Sequence, residues 1–144
     1  MAQAYRRLGR RIAPELPWVL ALTDEQRLLF RERGHVLAAS LLQHLDSSQP
    51  ETAAHHLDAA TRSATDYGAV ALTLGLSLSQ TVEGFLRFRA PFHHELARAA
   101  RRQGFDAAET SDLLETAERA MDRLLVATMK GHASAAADNH PVGR

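Results

Sequence analysis

The chain has 144 residues, with 17 Lys+Arg against 17 Asp+Glu and no cysteine. That length predicts one domain able to bury about 70% of its extended surface, and the even charge balance excludes a global field drawing in nucleic acid or anionic lipid. The missing thiols exclude disulfides, thiolate metal centres and cysteine nucleophiles, and fit a reducing cytoplasm.

The first segment, MAQAYRRLGRRIAPELPWVLAL, mimics a signal peptide, with arginines ahead of an apolar stretch. Pro14, Glu15 and Pro17 interrupt that stretch and no small-x-small cleavage site follows, so it reads as mature protein. A short helix is expected near 3–12, within an N-terminal arm at 1–22. Its Arg6, Arg7, Arg10 and Arg11, like Arg98, Arg101 and Arg102 further on, read as solvated helix faces. The run GAVALTLGLSL is far shorter than the ~20 residues a bilayer core demands, so no membrane span is predicted.

Four long helices follow, near 24–46, 50–74, 78–103 and 107–131. Thr23, Ser48, Ser77 and Asp106 each stand three residues before Gln26, Glu51, Gln80 and Glu109. That spacing lets cap and third-position side chains satisfy each other's free backbone amides. Asp46 with two serines, Gly75, Gly104 and Gly131 are the predicted stops. Residues 133–144 read as a frayed tail. Such short connections turn neighbouring helices antiparallel. The expectation is an all-α, single-domain, antiparallel bundle of four long helices plus the short N-terminal one, with the bundle at 23–132.

Placing residues ~100° apart sketches the interior. Helix 24–46 turns Phe30, Leu37, Leu41 and Leu45 to one side and carries Leu28, Leu29 and Val36 elsewhere. Apolar on more than one face, it is a candidate for a dimer contact, assigned to Phe30, Leu37, Leu41 and Leu45. Helix 50–74 buries small residues around Ala60, Ala64, Tyr67 and Gly68, and the last helix has a stripe from Leu113 to Thr128.

In helix 78–103 the stripe runs Leu78, Val82, Phe85, Leu86, Phe92, Leu96, Ala100, and Arg89 and His93 fall inside it, either side of Pro91. An inward guanidinium and imidazole need acceptors. An internal carboxylate such as Asp66 or Glu32, or a helix-end carbonyl, would serve. An anionic ligand is the functional alternative, with Arg89, His93, Phe85, Phe92, Tyr67 and His35 as the candidate lining.

Other chemistry is poorly supported. Ala71-x-x-x-Gly75 begins like a helix-turn-helix, but the following turn lacks the basic and amide side chains that read a groove. His94-Glu95-Leu96 evokes a phospho-accepting box without the residues that usually follow it. The pairs His55-His56 and His93-His94 point about 100° apart and cannot share one ion. His35 is the one candidate for an inward haem ligand. No nucleophile elbow or phosphate loop occurs. The prediction is therefore no enzyme, no cofactor and no metal, and nucleic-acid binding by this domain alone is disfavoured.

The segments LTDEQRLLFRERG, LGLSLSQTVEGFLRFRAPFHHEL and ETAERAMDRLLVATMKGH carry a resemblance. Around Gly75, Leu76, Ser77 and Leu78, with Phe85, Leu86, Phe88 and Arg89, the chain resembles the helical regulatory domain at the N-terminus of RsbRD-type sigma-factor regulators. The likeness covers roughly residues 16–132. It implies a bacterial sensory or protein-interaction module, a homodimer, working through a regulatory protein partner or an attached effector domain. A DNA-binding regulator and a haem or small-molecule sensor are the alternatives.

Overall fold

The computed structural model describes residues 21–138, and everything in these residues that is regular is helical. The helix expected near 3–12 and residues 139–144 lie outside them. Four helices follow one another: α1 (Asp24–Asp46), α2 (Pro50–Thr73), α3 (Leu78–Arg102) and α4 (Ala107–Asp138).

Three of the four start signals act as read. Thr23 accepts from the Gln26 amide while the Gln26 side chain accepts from Thr23 N–H, and Ser77 and Gln80 repeat the arrangement. Asp106 and Glu109 do the same at 2.8 and 3.2 Å. Ser48 does not. The cap of α2 is Gln49, without a side-chain bond, because Pro50 already occupies the first helical position with its φ preset and no amide to satisfy. Gly75 and Gly104 end α2 and α3 at φ of 83° and 84°, where a β-carbon would be strained.

Gly131 is the misread stop. The fourth helix continues through it to Asp138, so six residues assigned to the frayed tail are helical. Gly131 is there for packing: a β-carbon on it would collide with the Thr65 carbonyl oxygen of α2. Gly68 makes the reciprocal allowance, since its own β-carbon would strike the Thr128 carbonyl. Between them, Ala60, Ala64 and Ala71 are fully shielded from solvent. The backbones of α2 and α4 therefore meet directly, and this is the most extensive helix contact.

The same pairs fix direction. Asp58 reaches Arg123 at 3.0 Å, Thr65 faces Gly131 and Gly68 faces Thr128, so α2 and α4 run parallel. Successive helices are antiparallel, as the His44–Ala53 hydrogen bond (2.7 Å) and the Phe30–Tyr67 stack (4.6 Å) show for α1 and α2. The outcome is a central parallel pair with α1 packed on α2 and α3 packed on α4, α1 and α3 having little backbone contact with each other.

The main core joins Leu37, Leu41 and Leu42 of α1 to Phe85, Phe92 and Leu96 of α3 and to Met121 and Leu124 of α4. Each fully buried leucine there contributes about 1.5–3 kcal/mol. This corrects the dimer assignment. Leu41 is 2% exposed and Leu37 is buried beside it, Leu45 packs against the same core, and Phe30 packs against a smaller cluster of Leu22, Ala71 and Leu76. Leu37 and Leu41 offer no free surface and Phe30 and Leu45 only part of one; the large exposed apolar residues of α1 are Leu28 and Val36.

Candidate functional site

Helix α3 holds together through Pro91 and presents two different edges to α4. Its inner edge is Thr81, Phe85, Phe92, Leu96 and Ala100, all buried. Leu78 and Leu86, expected on this stripe, are not: Leu86 is 47% exposed. A helix turns about 100° per residue, so beside a buried Phe85 the next side chain is carried to the helix flank.

Arg89 takes up the seam between the two edges. Its Nη2 donates to the Asp122 carboxylate at 2.6 Å and lies 3.6 Å from Glu118, with the Glu118 carbonyl at 3.5 Å. The acceptors thus come from α4. Asp66, one of the partners anticipated, instead pairs with Arg33 at 3.3 Å. Arg89 is 22% exposed while its partners are mostly solvated, so this pairing orients the α3–α4 seam more than it stabilises it.

His93 is one turn further along. Its Nε2 is buried without a hydrogen-bond partner. Burial lowers the imidazole pKa below the usual 6.5; Glu118 opposes that shift and Arg89 adds to it. The ring is held neutral by loss of water and not by a specific bond. Phe85 and Phe92 line the core below, and Phe88 tilts against Phe92 at 5.2 Å. Tyr67 and His35 do not join this group. Tyr67 stacks on Phe30, and His35 sits half-buried on α1, which has little backbone contact with α3.

The histidine that sequence reading overlooked is His132. Buried on α4, its Nε2–H donates to the Leu76 carbonyl at 2.9 Å and ties the C-terminal half of α4 to the turn between α2 and α3. Reading Gly131 as a stop puts this residue just past the end of the helix, where no packing role is expected of it. The clue was in the register: His132 lies four residues beyond Thr128, on the continuation of the apolar stripe.

Outside the seam lies a groove of about 540 Å³ between α3 and α4. Leu78, Val82 and Leu86 form its wall on α3, Met129 its wall on α4, and Glu83 and Arg87 its rim. Val126, 50% exposed, stands one turn before Met129. Of six large hydrophobic residues left exposed among the described residues, three line this groove: Leu78, Leu86 and Met129. Single exposed leucines are ordinary, whereas a contiguous patch marks a surface that something covers.

Among the described residues no group of three or more His, Cys, Asp or Glu is placed to hold a metal ion, and no helix is long and apolar enough to cross a membrane. His55 and His56 lie edge to face, 5.7 Å apart. No protein-family model, no curated protein and no solved structure matches this chain.

Proposed function

We propose that this chain is a bacterial regulatory module that acts through protein–protein contact, made on the outer face of α3 and α4. The observation that carries the reading is the groove, in which Leu78, Val82, Leu86 and Met129 are gathered on one side of the molecule. Apolar residues at helical spacing with a charged rim suit protein recognition. They do not suit a nucleic-acid backbone, which calls for a basic surface. The resemblance to the RsbRD-type regulatory domain supports the same reading, and the lack of cysteine supports a cytoplasmic setting. No catalytic step is assigned to it.

The test is photocrosslinking in living cells from a benzophenone side chain at position 86, with position 62, exposed on α2, as the control. The reading expects protein adducts from 86 and none from 62. Equal or absent adducts at the two positions would remove it.

A second reading, a small-ligand sensor, has one observation behind it: the unpartnered Nε2 of His93 beside Glu118 and Arg89. A ligand N–H or O–H would satisfy that atom. Mass spectrometry of the undenatured protein checks it, the supporting result being an added mass that His93→Leu abolishes.

A further inference from the structure

The groove's rim carries a pattern that a foreign partner would not require. Glu83 and Arg87 are one turn apart on α3 and flank Leu86, both lining the groove. Their charges are opposite and their spacing is that of one helical face. Lay a second α3 antiparallel on the first, with a twofold axis passing between these residues. Glu83 then meets the second copy's Arg87, and Arg87 meets the second copy's Glu83. The Leu86 side chains of the two copies face each other across the same axis. A twofold contact uses one surface twice, so it must be complementary to itself, and this rim meets that condition. Equal counts of 17 basic and 17 acidic residues add no net repulsion between copies.

We propose that the occupant of the α3–α4 groove is a second copy of this chain, paired through antiparallel α3 helices and registered by two reciprocal Glu83–Arg87 ion pairs. The proposal rests on the reading of this face as an interaction surface, and it replaces the contact through Leu37 and Leu41, which are interior. Met129 of α4 extends the apolar contact beside the axis.

The experiment has two arms on the 144-residue chain. In solution, sedimentation equilibrium at micromolar concentration is expected to give twice the 15.8 kDa chain mass. Leu86→Glu is expected to give the single mass with unchanged helical circular dichroism, since the side chain is already half in water. Glu83→Arg or Arg87→Glu alone sets like charges opposite each other twice per dimer and raises the dissociation constant at least ~10-fold. The double exchange E83R/R87E restores the opposite pairing and returns the constant to within ~3-fold of the parent. A double exchange no tighter than the single variants overturns the antiparallel register, and a single-mass parent chain overturns the dimer. In cells, the position-86 adduct is expected at twice the chain mass. An adduct with a different protein, or a crosslink within one chain to residues 1–20, overturns the second copy as occupant while leaving the interaction reading intact. Absence of any adduct removes both.

Discussion

Along α4, the stripe that meets α2 carries Ala120, Ala127 and Gly131, whereas the outward side carries Val126 and, beside α3, Met129. On the first side the residues are small and the packing is so close that two glycines are obligatory. On the second they are large and exposed. A chain short of apolar material would have used its large side chains inside and left its small ones out. The reverse distribution teaches that the α2–α4 pair is the structural spine, its strength coming from backbone proximity and dispersion contacts. The outer face of α3 and α4 holds apolar area in reserve for something beyond the chain.

The sharpest way to test this division is to place a charge on the inner side. Leu41→Asp is expected to lower stability by about 4 kcal/mol or more, because a carboxylate would stand in the main core without a partner. That is a large share of the stability of an ordinary domain, and a large fall in the urea midpoint, or loss of the cooperative transition, is the measurement. Gly131→Ala comes next. Alanine is favoured over glycine in a helix interior by about 1 kcal/mol, yet here its methyl group meets the Thr65 carbonyl and drives α2 away from α4. A net loss of about 2–3 kcal/mol is expected, read as a lower urea midpoint at unchanged slope. If the substitution stabilised the protein, the spine would not be where the backbone contact places it.

His132→Ala should be milder. It leaves the buried Leu76 carbonyl without its donor and costs about 1–3 kcal/mol by the same measurement. Acid then tests the seam between the two regions. The His93 pKa in the fold is lowered from 6.5, chiefly by burial, against the pull of Glu118 and with help from Arg89. As pH falls through 6.5 the unfolded chain takes up this proton before the folded one does. The folded state therefore loses stability until the lowered folded value is passed, and above 6.5 the contribution vanishes. Melting temperature is expected to drop across that window in the parent chain and to drop less in His93→Phe.

Much of this was legible in the sequence because it is local. Thr23, Ser77 and Asp106 announce helix starts through contacts three residues away, and Gly75 and Gly104 announce stops through their own φ. What was not legible depends on which helices touch. Gly131 looks like a stop until α2 is seen against it, and then the same missing side chain becomes a packing requirement. The partner of Arg89 could be named as a carboxylate but not as Asp122, since nothing along the chain says that α3 meets α4 at that height. Leu37 and Leu41 were correctly read as apolar and wrongly placed outside, because α1 is apolar on more than one face and periodicity cannot tell which face wins. Leu86 was misplaced in the opposite direction, by an angular sketch that could not separate a helix flank from its centre.

Leu86→Gln closes the series as the change of smallest effect on stability. The side chain is already 47% exposed, so most of its transfer from water has not occurred in the isolated chain, and the glutamine amide can remain solvated. A change within about 0.5 kcal/mol is expected in the urea midpoint, as for surface positions generally. It should be measured at a concentration low enough that association does not contribute, because binding of folded chains to each other would itself raise apparent stability. Raising the concentration should then separate parent from variant: the parent gains stability by mass action and the glutamine variant does not. A loss near that of Gly131→Ala at low concentration would mean that Leu86 is part of the interior, and the contrast between a sealed spine and an open face would no longer hold.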